Sequence, residues 1–221
     1  MIKHHYTDGL ESQRLTTRFL QLEDVELWCG FVSSKEATEF FPDYYDSENP
    51  LPAAERFLSR QFNRYKEKTF GLQALVEKSS GEVVGICGLL LQQVDGKSEL
   101  EVGYQILPKY WGLGYAPEAA KLFIDFAVEH QLADSIISVI DVGNVKSERV
   151  AEKNGLVRDK LTTELSLLRN RLHPHFLFNT LNNKNLNINI EKNVCKTKYY
   201  KKSFNFICLS DSPQSVTLFL V

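Results

Sequence analysis

Three groups of side chains in this sequence have types and spacings that could do chemistry. The first lies in LEVGYQILPKYWGLGYAPEAA, residues 100–120, where Gly112 and Gly114 precede a helix whose first turn contains Pro117. Glycines allow the sharp turn that gathers free backbone N–H groups, and proline at the first helical position forfeits no intrahelical bond. A turn of this kind at a helix N-terminus suits a phosphate or pyrophosphate. It is not a Walker loop, because G-Y-A-P stands where G-K-[ST] is needed, nor a G-x-G-x-x-G dinucleotide turn, because the sixth position is Pro117. A tight strand-to-helix connection accounts for the two glycines as well. The second group is Glu101, a strand carboxylate just ahead of the turn, readable as a general base or as an ordinary surface acid. The third is His173 and His175 in RNRLHPHFLFNTLNN, residues 169–183, which reads as a metal pair, a phosphate acceptor or a plain helix. Two ligands with no further Cys/His cluster nearby do not complete a metal site, so no metal is expected.

The elements that must position these groups can be read from periodicity. A strand over 14–22 hands over to a helix beginning near Asp24, with Val25, Leu27, Trp28 and Phe31 on its apolar side. A loop over 38–50 leads to a second helix, Pro52 to Lys66, carrying Phe57, Leu58, Phe62 and Tyr65. Strands over 69–77, 82–93 and 99–107 are separated by the turn signals KSSGE and VDGKS and are therefore expected to be antiparallel. A strongly apolar helix over 117–130, a buried strand over 135–142 and a capped helix over 144–155 complete a β-α-β-α unit. The pattern predicts an α/β (α+β) fold: one mixed, largely antiparallel sheet with helices on both faces.

Composition narrows the class. The 221 residues, 43% apolar and 24% charged, suffice for one sizeable core, and the N-terminus has no apolar stretch of signal-peptide length. A cytoplasmic protein without membrane association is expected. Cys29, Cys87, Cys195 and Cys208 have no C-x-x-C spacing and read as reduced thiols. Residues 184–202 hold six lysines against the single Glu191, but no arginine and no recognisable binding motif, so solvated low-complexity sequence is expected there rather than a nucleic-acid site.

Taken whole, E-V-G-Y-x(5)-Y-W-G-L-G-Y-A-P-E-A resembles the GNAT acyltransferase superfamily, especially its branch of ribosomal-protein N-terminal acetyltransferases. The segment N-V-K-S-x-x-V-A-E-K-N-G-L, from Asn144, is similar to that branch's N-x-x-S-x-x-V-x-E-K-x-G-F, and RLTTRFLQLED and GEVVGICGL extend the likeness over about residues 10–160. The resemblance implies acetyl-coenzyme A as cosubstrate. The backbone of Trp111, Gly112, Leu113, Gly114, Tyr115 and Ala116 would cradle its pyrophosphate, with Trp111 at the family's Q/R position. Ile106 and Leu107 would pair with the pantetheine arm, in a gap where their strand splays from Ser135–Val142. The reaction it implies is direct attack of a primary amine on the thioester, with Glu101 as base and Ser147 beside the departing sulfur. Asn144 either contacts pantetheine or simply caps its helix. Ala151 stands where many members carry a tyrosine acid, so a tyrosine-acid mechanism finds no support. Asp43, Asp46 and Glu48, in an aromatic loop, would attract a cationic amine.

The likeness stops near Lys160. Residues 161–183 resemble the phosphoacceptor segment of LytS-type sensor histidine kinases, which implies His175 as phosphoacceptor, although no ATP-binding domain accompanies it. Residues 184–221 read as a basic tail, and neither SFNFICL nor SVTLFLV is expected to supply the sheet strands that GNAT folds place after residue 160. Two functions follow. One is an N-acetyltransferase acting on a protein N-terminus or small-molecule amine, its C-terminal strands replaced. The other is a non-catalytic coenzyme A-binding or signalling fusion carrying the kinase-like fragment.

Overall fold

The computed structural model describes residues 6–41, 47–94, 97–141, 143–158 and 196–201. His173 and His175, with most of the C-terminal segments, lie outside the described residues, as do Asp43 and Asp46. The chain opens with β1 (Leu15–Phe19), α1 (Asp24–Ser33), the short α2 (Lys35–Thr38) and α3 (Pro50–Glu67). Then come β2 (Phe70–Glu77), β3 (Val83–Val94) and β4 (Lys97–Ile106), a 3-10 turn at Pro108–Tyr110, and α4 (Tyr115–Glu129). The remaining elements are β5 (Ile136–Asp141), α5 (Val145–Lys153), β6 (Leu156–Arg158) and β7 (Lys196–Lys201). Among the described residues no helix is long and apolar enough to cross a membrane.

The sheet runs in the order β1-β2-β3-β4-β5-β7-β6. β2 to β4 form an antiparallel meander whose hairpins fall at the predicted turns, and β1 adds antiparallel to β2 after the three intervening helices. The crossover through α4 then lets β4 and β5 pair in parallel, an arrangement no tight hairpin could make. Side chains alternate across β4, and this period of two divides the core. Leu100, Val102 and Ile106 join Phe123, Ile124 and Ala151 beneath α4 and α5, whereas Leu72, Ile86 and Leu90 join Trp28, Phe31, Phe57 and Leu58 beneath α1 and α3. Helices thus cover both faces, as predicted.

β4 and β5 pair only at Leu100 with Ile136 and Glu101 with Ile137. Beyond Glu101 the strands part, and the remaining half of β4 borders a gap. The C-terminal side departs from the sequence expectation. Lys196–Lys201, within the presumed tail, forms a strand inserted antiparallel between β5 and β6. KTKYYK escapes a compositional reading because its lysines mask a Thr-Tyr-Tyr core of high strand preference, and the partner that recruits it, the edge of β5, is distant in sequence.

Candidate active site

At the open end of the gap the chain leaves β4 and enters the glycine turn. Gly112 and Gly114 have φ values of +77° and +81°, the left-handed region that side chains with a Cβ avoid. Gly114 is the N-cap of α4, and no side chain caps that helix. The leading N–H groups of α4 have no intrahelical acceptor and sit at the positive end of the helix dipole. The turn from Gly112 to Ala116 thus leads into a helix N-terminus that no side chain caps.

What holds this turn was not legible in the sequence. Arg14, at the threshold of β1, donates from Nη1 to the Leu113 carbonyl at 2.9 Å and from Nε to Glu118 at 2.7 Å, and its guanidinium lies 4.4 Å above the Tyr115 ring. The Arg14 backbone N–H and the Ser12 hydroxyl donate to the other Glu118 oxygen at 2.8 and 2.7 Å. Burial pushes the Glu118 carboxyl up, but these donors outweigh it and hold the group below the usual carboxylate range. Arg14 and Glu118 are unremarkable surface residue types about a hundred positions apart, so only the fold reveals the clamp.

Trp111 lies across the mouth of the gap. Its indole N–H donates to the Ile106 carbonyl at 2.6 Å, and Lys146 stands 4.1 Å above its ring while donating to Glu36 of α2 at 2.8 Å. The Leu107 N–H donates to Val84 on β3 at 3.0 Å. Backbone directions alternate along a strand, so the Ile106 carbonyl points the other way, into the gap. That acceptor, predicted to pair with a pantetheine amide, is held here by the chain's own indole.

Glu101 is 7% exposed, not the surface carboxylate its strand position allowed. It accepts from the Val139 backbone N–H at 3.1 Å and from Gln92 Nε2 at 2.6 Å. The carboxylate thus satisfies an amide of β5 that the backbone of β4 has moved away from, at the point where the strands part. Its side chain lies on the α1/α3 face.

On the other face, Tyr104 donates to the Ser147 carbonyl at 2.9 Å and receives the Ser147 hydroxyl at 3.2 Å. Asn144 Oδ1 accepts from the Ser147 N–H at 3.1 Å, so Asn144 caps α5, and Ala151 is buried in the core. Ser147, Ile106, Trp111 and the glycine turn border one gap with Glu101 at its base. Glu48 is exposed, two residues ahead of α3. Among the described residues no three His, Cys, Asp or Glu side chains are placed to hold a metal. A shallow concavity formed by Pro52, Glu55, Arg56, Ser59, Arg60 and Asn63 runs along the outer side of α3, away from the gap.

A splayed β4/β5 pair, an uncapped helix behind a glycine turn and an antiparallel meander define a GNAT fold. The acetyltransferase (GNAT) domain model matches residues 14–157, and the chain belongs to that family. It is 36% identical to YkkB of Bacillus subtilis over 97 residues, 43% of this chain and only 56% of YkkB's length. It is 25% identical to the N-acetyltransferase p20 of Bacillus licheniformis over 181 residues, covering 79% of this chain and 96% of p20. An acetyltransferase from Agrobacterium tumefaciens has a similar structure, with TM-score 0.64, 21% identity, and coverage of 90% of this chain and 96% of that one. The histidine kinase family model matches residues 163–206, of which only β7 is described.

Proposed function

We propose that this chain transfers an acetyl group from acetyl-coenzyme A to a primary amine, by direct attack within a ternary complex. The observation that carries the proposal is the uncapped N-terminus of α4 behind Gly112 and Gly114, opening where β4 and β5 part. One end offers backbone donors for a pyrophosphate, and the gap is lined by strand backbone for an extended pantetheine arm. Cosubstrate binding falls to Trp111, Gly112, Leu113, Gly114, Tyr115 and Ala116 at the turn and to Ile106 and Leu107 on the strand, with Asn144 setting the first turn of α5 beside them.

The two faces of the gap carry different duties. Glu101, on the α1/α3 face, accepts the proton that the amine nitrogen loses, through a water. Ser147, on the α4/α5 face, faces the sulfur. An α-amine with pKa near ~8 is already partly neutral at physiological pH and asks little of the base, whereas a lysine-like amine near ~10.4 asks more. The likeness of E-V-G-Y and N-V-K-S to the ribosomal-protein branch supports a protein N-terminus as acceptor, and a small-molecule amine is the competing acceptor.

The test is turnover by the full chain with acetyl-coenzyme A and a panel of N-terminal peptides, polyamines and small amines, read as released thiol. Release with at least one acceptor, and coenzyme A binding by calorimetry, are expected. Absence of both would leave the reading without support and turn attention to a non-catalytic role.

A further inference from the structure

Tyr104 of β4 stands at the gap and reaches α5 with a hydroxyl that bonds Ser147. It lies opposite Cys87 in the β3/β4 register and packs at the edge of the core beneath α4. Its hydroxyl engages both the carbonyl and the hydroxyl of Ser147 on α5. A strand and a helix that border the gap therefore meet at one oxygen.

We infer that Tyr104 is a positioning residue for acyl transfer: its phenol holds the Ser147 hydroxyl at the gap so that Ser147 can hydrogen-bond the departing thiolate. This rests on the acetyl-coenzyme A reading above. In the resting arrangement the single Tyr104 hydrogen goes to the Ser147 carbonyl and the Ser147 hydrogen goes to Tyr104. When sulfur becomes anionic, the Ser147 hydrogen turns to it, and Tyr104 turns its own hydrogen onto the Ser147 oxygen. No O–H bond breaks in this exchange. The Ser147 carbonyl keeps the helical bond from the amide four residues on, so releasing Tyr104 costs it little. The thiolate leaves as an anion and takes its proton from solvent.

The environment suits a donor that never ionises. Burial pushes the phenol up to about 12, against the lowering effect of the hydrogen bond from Ser147. A thiol near ~8.5 is a far stronger acid, so Tyr104 does not surrender its proton to the thiolate and remains a hydrogen-bond donor across the working pH range.

The test is a double-mutant cycle of Y104F and S147A in the full chain, with thermal melts to verify folding. Each single variant is expected to lose about 10- to 150-fold in kcat, the effect of one hydrogen bond to a charged group, with KM for acetyl-coenzyme A nearly unchanged. Y104F in the S147A background is expected to cost almost nothing more. Calorimetry at alkaline pH gives a readout independent of turnover: both variants should weaken coenzyme A binding and leave desulfo-coenzyme A binding unchanged. Additive losses, or equal weakening of both ligands, would overturn the inference and make Tyr104 a packing residue. Wild-type protein that binds neither ligand would instead overturn the acetyl-coenzyme A reading, and this inference with it.

Discussion

Glu101 bonds to two strands at once, and this decides how a substitution there must be interpreted. E101Q keeps an oxygen for the Val139 N–H and an amide that can pair with a flipped Gln92, so it retains both contacts while losing basicity. Turnover of E101Q is expected to fall at least tenfold at neutral pH with little change in melting temperature, whereas E101A should also melt several degrees lower because a buried N–H loses its acceptor, at about 1–3 kcal/mol. Kinetics and melts of the two variants separate a base from a spacer. E101Q with full activity at every pH would leave Glu101 only the structural duty. Trp111 allows a second residue-scale prediction. Its indole donates to the Ile106 carbonyl; if cosubstrate takes that acceptor in its place, as proposed for the pantetheine arm, W111F should bind coenzyme A about fivefold tighter, the net worth of one hydrogen bond. Trp28 is buried and stacked between Phe31 and Phe57, so a change in tryptophan emission on binding reports Trp111, and its absence would show that the indole does not move. The glycine turn was legible at this scale because positive φ leaves a mark on residue type. The indole's partner was not, because the Ile106 acceptor is backbone and leaves none.

At the scale of elements, the clamp between β1 and α4 fixes the anion turn. R14A removes donors to Leu113 and Glu118 and frees the turn, so its KM for acetyl-coenzyme A should rise several-fold while kcat changes little. A fall in kcat alone would contradict the assignment of the turn to binding. The same clamp predicts an acid response. Glu118 is held below its ordinary range, so its stabilising contribution is fully present above the unfolded value near ~4.3 and is lost as pH falls through the lower folded value. The difference in urea midpoint between wild type and E118Q should thus be present at neutral pH and shrink below about pH 4. Elements with strong local signals, the three-strand meander and the helices following Asp24, Pro50 and Gly114, were readable from periodicity and turn residues. The splay of β4 from β5 came only from family resemblance, because the parting of two strands depends on Glu101 reaching an amide nearly forty positions away.

The whole molecule closes its sheet with a strand that composition disguised. β7 provides β5 with a partner along five residues and stands between β5 and β6 in the sheet. A chain ending at residue 195 leaves the β5 edge bare, and open edges recruit other chains. Such a variant is expected to elute as aggregate in size-exclusion chromatography and to melt lower than the full chain. A monomer of unchanged melting temperature would mean β7 contributes nothing to the sheet. The insertion of β7 between β5 and β6 also has a kinetic meaning. The chain completes β6 at Arg158 and must run on to Lys196 before the strand that joins β6 to the sheet exists, so the last two sheet positions wait on a pairing between segments far apart in sequence. The meander and the α4 crossover, built on nearer contacts, can assemble first. Refolding should therefore show the acetyltransferase gap formed on one side before its far wall is secured, with cosubstrate binding returning only in the slower phase.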